Sequence, residues 1–129
     1  AGLADSSQRT EALRLAEMLL ERLQCHPLWQ EIDQAKERYH EVPYTRLAIK
    51  NRVDTGYIDL LYRSTDGWQI VDFKTDSLRS INERDAAIEQ YRPRMRRYTQ
   101  AALDLLREPA RVRLCFLDDE GRLSLQEMI

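Results

Sequence analysis

The chain has 129 residues, a length that suits one domain spanning residues 1–129 with one active site. Its 43% hydrophobic and 33% charged residues are typical of a soluble globular protein and exclude a low-complexity or disordered class. The formal net charge of −2 at pH 7 gives no overall electrostatic attraction to nucleic acid.

The sequence carries no signal for export or for membrane insertion. No run approaches the ~18 apolar residues of a membrane span, and the first residues lack a basic stretch followed by an apolar core. A cytoplasmic location is therefore expected. Cys25 and Cys115 lie far apart and without metal-ligand spacing, so we expect two reduced thiols and no cysteine-ligated iron–sulfur cluster.

Two helices and a strand are predicted in the first part of the chain. Apolar residues recur at steps of three and four over residues 8–23, which is typical of an amphipathic helix. Pro27 is well tolerated in a first helical turn, so a second, shorter helix is predicted over residues 27–37. Apolar and polar residues then alternate over residues 39–49, which predicts a strand whose Pro43 favours a sheet edge or a bulge.

A β-hairpin follows. The apolar runs 56–63 and 68–74 are predicted strands, and residues 64–67 join them. The joining segment contains Asp66-Gly67, a strong hairpin signal because such turns need positive backbone angles that glycine adopts freely. The two strands should therefore pair antiparallel.

The last part of the chain completes an α/β pattern. A long helix is predicted from residue 83 to about residue 108, followed by strands at 111–117 and 123–126 with a turn at 118–121. The order α α β β β α β β predicts a mixed central sheet flanked by helices, since the last helix returns the chain to another strand.

Three charged residues lie in the apolar hairpin: Asp59, Asp72 and Lys74. In a strand, Asp72 and Lys74 leave the same face roughly 7 Å apart. Asp59 and Asp72 are about equally far from the turn, so an ordinary hairpin register brings them together. Two adjacent carboxylates repel each other unless a cation lies between them, and oxygen ligands suit Mg²⁺ or Mn²⁺. With Lys74 to orient water, the arrangement is typical of a metal-dependent phosphodiesterase.

A simpler interpretation stays open for these three residues. Asp72 and Lys74 could form an exposed salt bridge on a solvent-facing strand, while Asp59 begins a turn. The D-x-K pattern alone is short and common, but here both aspartates lie in apolar strands joined by a predicted hairpin. Downstream is a basic segment that either is a solvated helix face or contacts nucleic acid; its arginines are Arg79, Arg84, Arg92, Arg94, Arg96 and Arg97.

Several segments together resemble a known family. They are GYIDLL (56–61), GWQIVDFKTD (67–76), YRPRMRRY (91–98) and EVPY (41–44). They resemble the RecB-type branch of the PD-(D/E)xK nuclease superfamily, and most of all the C-terminal nuclease domain of AddA-type helicase-nuclease subunits. The resemblance covers residues 27–117.

The resemblance implies a restriction-endonuclease-like fold and Mg²⁺-dependent hydrolysis of DNA, coupled to a helicase motor in the same polypeptide or in an associated subunit. By this likeness Asp59 and Asp72 would bind the metal with the backbone carbonyl of Phe73, and Lys74 would position the nucleophilic water. The 129 residues contain no G-x-x-x-x-G-K-[ST] loop and so do not include the motor itself.

The sequence departs from the family pattern in two places. Family members carry a metal-binding histidine in an upstream G-x-x-x-H motif, and neither His26 nor His40 has that context. Arg94 replaces the glutamine of the Q-x-x-x-Y motif four residues before Tyr98; arginine can contact a phosphate but has no acceptor oxygen. Both departures bear on whether this chain is active.

Three further residues have two interpretations each. Tyr91 and Tyr98 either support the site and hold DNA or belong to the helix core. Glu41 either supports the site or is a solvated strand residue.

The leading hypothesis is a nuclease domain, exonuclease-like on single-stranded DNA, from a helicase-nuclease of double-strand-break repair and recombination. One alternative is an inactive nuclease-like domain kept for DNA binding or scaffolding. Another is a small stand-alone resolvase or repair endonuclease, which would be a homodimer acting on a two-fold substrate.

Overall fold

The chain forms a mixed five-stranded sheet with helices on both faces. A computed structural model describes residues 5–47 and 49–128. The helices in these ranges are α1 (Ser6–Gln24), α2 (Pro27–Asp33) and α3 (Ile81–Leu106), with a short 3₁₀ segment at Ile49–Asn51. The strands are β1 (Glu37–Leu47), β2 (Val53–Ser64), β3 (Gly67–Leu78), β4 (Ala110–Asp119) and β5 (Arg122–Met128).

The sheet topology confirms the predicted order of elements and the α/β class. The strands lie in the order β1-β2-β3-β4-β5. β3 and β4 are parallel and are connected through α3, whereas the other neighbouring strands are antiparallel. Pro43 lies in the edge strand β1, where its missing N–H costs the sheet least.

Several predicted boundaries are wrong; β2 begins at Val53 instead of residue 56, and β3 continues to Leu78 instead of ending at residue 74. The second helix ends at Asp33 instead of continuing to residue 37, because the chain enters the sheet there and Glu37 pairs with Arg63 of β2. Ile49, predicted as the last strand residue, lies in the 3₁₀ segment instead, beside Lys50 with a φ of 63°. Ala48 lies outside the described residues.

The β2–β3 hairpin is antiparallel, as predicted. Ser64 pairs with Gly67 across the turn, and Gly67 takes the positive φ of 115° that glycine adopts without strain. The ladder continues to Leu60 opposite Val71 and then ends. Beyond this pair β2 stays hydrogen-bonded to β1, and β3 stays hydrogen-bonded to β4. We call the opening between β2 and β3 the fork.

Two hydrophobic cores hold the sheet between its helices. On one face, residues such as Ile58, Ile70 and Leu114 pack against α3 through Met95 and Ala102. On the other face, the buried residues are Leu19, Leu28, Ile32, Leu60, Tyr62, Val71, Cys115 and Leu117. The apolar stripe of α3 therefore lies on the sheet.

A glycine permits close packing beside the fork. A Cβ on Gly56 would lie 2.7 Å from the hydroxyl oxygen of Tyr44, closer than real contacts allow. The buried Tyr44 ring in turn meets the Tyr98 ring edge-on, with centroids 6.0 Å apart. The absence of a side chain at Gly56 thus lets β1 and α3 meet next to Asp59.

Cys25 and Cys115 are free thiols, the first exposed and the second buried. Across the described residues, no helix is long and apolar enough to cross a membrane.

Candidate active site

Asp59 and Asp72 meet at the fork. They occupy the first positions beyond the last hairpin pair, Leu60 and Val71, so the register places them opposite each other. An Asp59 carboxylate oxygen (Oδ2) accepts a hydrogen bond from the Phe73 backbone N–H at 3.2 Å. Asp72 is 1% exposed. The hairpin therefore brings the two carboxylates together, as its pattern predicted.

Lys74 completes the cluster. Its ammonium nitrogen lies 3.0 Å from Oδ2 of Asp72. The Lys74 side chain is 13% exposed and that of Asp72 is 2% exposed. The alternative of an exposed salt bridge is therefore wrong, because this pair is buried between β3 and α3.

The single positive charge of Lys74 does not fully stabilise the two carboxylates of the cluster. Burial, and after it the neighbouring Asp59, raise the pKa of Asp72 to about 7, and Lys74 only partly opposes this shift. Ionising both carboxylates near neutral pH therefore costs free energy, because their negative charges repel each other. A divalent cation between the two carboxylates would remove this cost.

The ligand atoms suit a hard cation. Within a strand, the N–H and C=O of one residue point toward the same neighbouring strand. The Phe73 N–H points to Asp59 of β2, so the Phe73 carbonyl also faces the fork. Two carboxylates and one carbonyl are oxygen ligands of the kind that Mg²⁺ and Mn²⁺ prefer.

Neither histidine of the chain joins these ligands. His26 begins α2, and its Nδ1 accepts a hydrogen bond from the Leu28 N–H at 3.1 Å, which is a capping role. His40 is an exposed residue of β1. Over residues 5–47 and 49–128, no group of three or more His, Cys, Asp and Glu side chains is arranged to hold a metal.

Tyr91 and Asp76 extend the cluster beyond Lys74. The Lys74 ammonium lies 4.2 Å from the centroid of the Tyr91 ring. The Tyr91 hydroxyl donates to the Asp76 carboxylate, with oxygen distances of 2.9 and 3.1 Å. Asp76 was not predicted as a site residue. Its signal was the period of two, since Asp72, Lys74 and Asp76 alternate along one face of β3.

A recess of about 350 Å³ opens beside Asp59. We call it the arginine recess, because Arg94 and Arg97 line it from α3. Its other lining residues are Tyr44, Asp54, Thr55, Gly56, Tyr57 and Tyr98. Arg94 is exposed, and Arg97 lies 3.9 Å from Asp54. The sequence indicated Arg97 only as a member of the basic segment, and it stands about one helical turn after Arg94.

Tyr98 is buried between the arginine recess and the carboxylates. Burial raises its pKa, and the charges of Asp72 and Asp59 raise it further. Because Tyr98 also belongs to the α3 core, both interpretations of this residue have a basis in the structure.

Glu41 of β1 lies opposite Asp59 of β2, on the neighbouring strand. It falls between the pairs His40–Leu60 and Val42–Ile58 of β1 and β2, opposite Asp59, and its φ of 50° is unusual for a residue with a side chain. Its side chain is exposed. In the described part of the chain it makes no hydrogen bond or ion pair to the carboxylate cluster, so its supporting role stays a prediction.

The sequence matches the profile of the PD-(D/E)XK nuclease superfamily over residues 2–128. The chain belongs to this superfamily. The mixed sheet with flanking helices is accordingly the restriction-endonuclease-like α/β fold of PD-(D/E)XK nucleases, as the sequence predicted.

Two curated relatives of this PD-(D/E)XK protein are both named as subunits of an ATP-dependent helicase/nuclease. The protein from Desulforamulus reducens is 28% identical over 89 residues, which cover 69% of this chain and 7% of the relative. The protein from Heliobacterium modesticaldum is 28% identical over 133 residues, which cover 91% of this chain and 9% of the relative. The resemblance to AddA-type proteins is thereby confirmed, and the chain spans less than a tenth of these relatives' length.

Proposed function

We propose that the chain is a metal-dependent DNA nuclease domain that hydrolyses phosphodiester bonds. The observation that supports this most is the convergence of Asp59 and Asp72 at the fork, with the Lys74 ammonium 3.0 Å from Asp72. A buried carboxylate next to a half-buried one, with a single adjacent ammonium, destabilises a fold. A cation bound by the two carboxylates would offset this cost and could also bind a phosphate of the substrate.

The site residues divide the chemistry between them. Asp59, Asp72 and the Phe73 carbonyl would hold Mg²⁺ or Mn²⁺. When bound, such an ion supplies positive charge and Lewis-acid polarisation at the scissile phosphate. Lys74 would orient the attacking water and stabilise the negative charge that builds on the phosphate oxygens.

The arginine recess offers a path for the DNA strand. Arg94 would take a phosphate next to the scissile one, because its guanidinium is exposed and adjoins Asp59. The recess volume of about 350 Å³ and its tyrosine lining suit one unpaired nucleotide better than a duplex. We therefore propose single-stranded DNA as the substrate, with an exonuclease-like mode of cleavage.

The names and lengths of the relatives suggest that this domain works together with a helicase. Their name includes both helicase and nuclease, and this chain matches 7% and 9% of their lengths. We propose that residues 1–129 form a single nuclease domain that works with a helicase motor, in the same polypeptide or in an associated subunit. Its role would be the processing of DNA ends in double-strand-break repair and recombination, in the cytoplasm.

A cleavage assay tests this function. The purified chain is expected to degrade linear single-stranded DNA with Mg²⁺ or Mn²⁺ and to lose this activity in excess chelator, since Lys74 alone does not offset both carboxylates. Calcium, which prefers looser coordination, is the control ion. Equal cleavage with and without chelator would contradict a metal-dependent site.

Two observations favour a second candidate. Neither His26 nor His40 lies with the carboxylates, and Arg94 replaces the family glutamine, so the chain could be an inactive nuclease-like domain that binds DNA or acts as a scaffold. Normal affinity for single-stranded DNA without Mn²⁺ binding or cleavage would support this candidate against the nuclease.

A further inference from the structure

Lys74 lies between two groups from different elements. On one side is Asp72 of β3, with the ammonium nitrogen 3.0 Å from its carboxylate. On the other side is the ring of Tyr91 from α3, with its centroid 4.2 Å from the same nitrogen. This distance is within the range of a cation–π contact. The ammonium is thus contacted from both sides, and the Lys74 side chain is only 13% exposed.

The Tyr91 ring is itself held in place. Its hydroxyl donates to the Asp76 carboxylate, whose two oxygens lie 2.9 and 3.1 Å away. A hydrogen bond to a charged acceptor is stronger than one between neutral groups. Asp76 lies two residues after Lys74 in β3, so the strand that carries the lysine also carries the group that fixes the ring beneath it.

We infer that Asp76 and Tyr91 are positioning residues for Lys74 in the reaction. This inference rests on the proposed nuclease function. It gives Asp76 a role, which the proposed function did not. Lysine has a long, flexible side chain that populates many rotamers unless its neighbours restrain it. Without the anchored ring, the ammonium can leave the place where it meets the water and the phosphate.

An alternative is that the hydrogen bond between Tyr91 and Asp76 only stabilises the packing of α3 against β3. A purely structural tie would show itself as lower thermal stability or weaker DNA binding when it is broken. A positioning role would instead lower kcat at constant KM, because binding occurs elsewhere along the arginine recess. Displacement of a catalytic group by about 1 Å can cost roughly 100-fold in rate.

Three variants separate these roles. Asp76→Ala removes the acceptor, Asp76→Asn keeps an acceptor oxygen without the charge, and Tyr91→Phe keeps the ring without the hydroxyl. We expect Asp76→Ala and Tyr91→Phe to lower kcat by about 10- to 100-fold with unchanged KM. Asp76→Asn should retain most of the wild-type kcat. The double variant Asp76→Ala/Tyr91→Phe should be no slower than the slower single variant, since both changes break one contact.

A spectroscopic readout makes the test independent of activity. The Lys74 side-chain methylene protons next to the ammonium should show a ring-current shift from Tyr91 in the metal-free wild type. That shift should persist in Asp76→Asn and decrease in Asp76→Ala. At 15.3 kDa the chain suits such NMR measurements.

The outcomes distinguish this inference from the function on which it rests. Wild-type kcat in Asp76→Ala, or a loss that Asp76→Asn does not reverse, would overturn the positioning role while metal-dependent cleavage by the wild type still stands. The absence of cleavage by the wild type would overturn the nuclease function. An unshifted Lys74 signal in the wild type would overturn the anchored-ring arrangement by itself.

Discussion

Replacing Asp72 with asparagine is expected to lower the rate of DNA cleavage at saturating Mn²⁺ by at least about 1,000-fold, or about 4 kcal/mol of transition-state stabilisation. The variant keeps the size of the side chain but loses the negative charge that would bind the cation. It also removes the ionic partner of Lys74, whose ammonium lies 3.0 Å from Asp72.

Asp85→Asn is the matched control. Asp85 is an exposed residue of α3 that does not line the arginine recess, so its replacement makes the same change of charge outside the site. This control should cleave DNA at the wild-type rate, and both variants should retain the circular dichroism spectrum of the wild type. Cleavage by folded Asp72→Asn at a rate near that of the wild type would remove Asp72 from the mechanism.

The same variant is expected to change how stability depends on pH in the metal-free protein. Burial raises the pKa of Asp72 to about 7 in the folded chain, from an ordinary value of 3.8. Between these two values the folded protein keeps a proton that the unfolded chain has released. The free energy of unfolding therefore falls as pH rises through this window, and this contribution of Asp72 is absent from Asp72→Asn.

Urea unfolding in chelator from pH 5 to pH 8 measures this effect. Relative to the wild type, Asp72→Asn should gain about 2–3 kcal/mol in free energy of unfolding across that range. Saturating Mn²⁺ should stabilise the wild type and leave the variant nearly unchanged, because only the wild type has the full set of ligands. If the free energy of unfolding changed with pH in the same way in both proteins, ionisation of Asp72 would cost the folded state nothing.

The central hairpin could be predicted because its signals are local. Alternation with a period of two indicated both strands, and Asp66-Gly67 indicated the turn and therefore the register. From the register alone, Asp59 and Asp72 had to lie near each other. The hairpin pattern did not indicate where the pairing between β2 and β3 ends. The position of the fork also depends on the pairing of β2 with β1 and of β3 with β4.

Other features depend on contacts between distant parts of the chain. The pattern of α3 predicted its buried stripe, but the contact between Tyr91 and Asp76 requires the rotation of that helix on the sheet. The early end of α2 has a similar cause, because residues 34–37 have high helical propensity and the sheet pairing of Glu37 nevertheless prevails. Arg97 and Asp54 likewise meet only when α3 packs beside β2.

The most direct measurement is a calorimetric titration of the metal-free chain with Mn²⁺. The wild type and Asp85→Asn should each bind a single Mn²⁺ ion with a dissociation constant below the millimolar range and should release protons, since the carboxylate pair must ionise fully. Asp59→Asn and Asp72→Asn should lose this binding. No detectable heat of binding to the wild type at millimolar Mn²⁺, or equal binding to Asp59→Asn, would contradict a metal site at the fork.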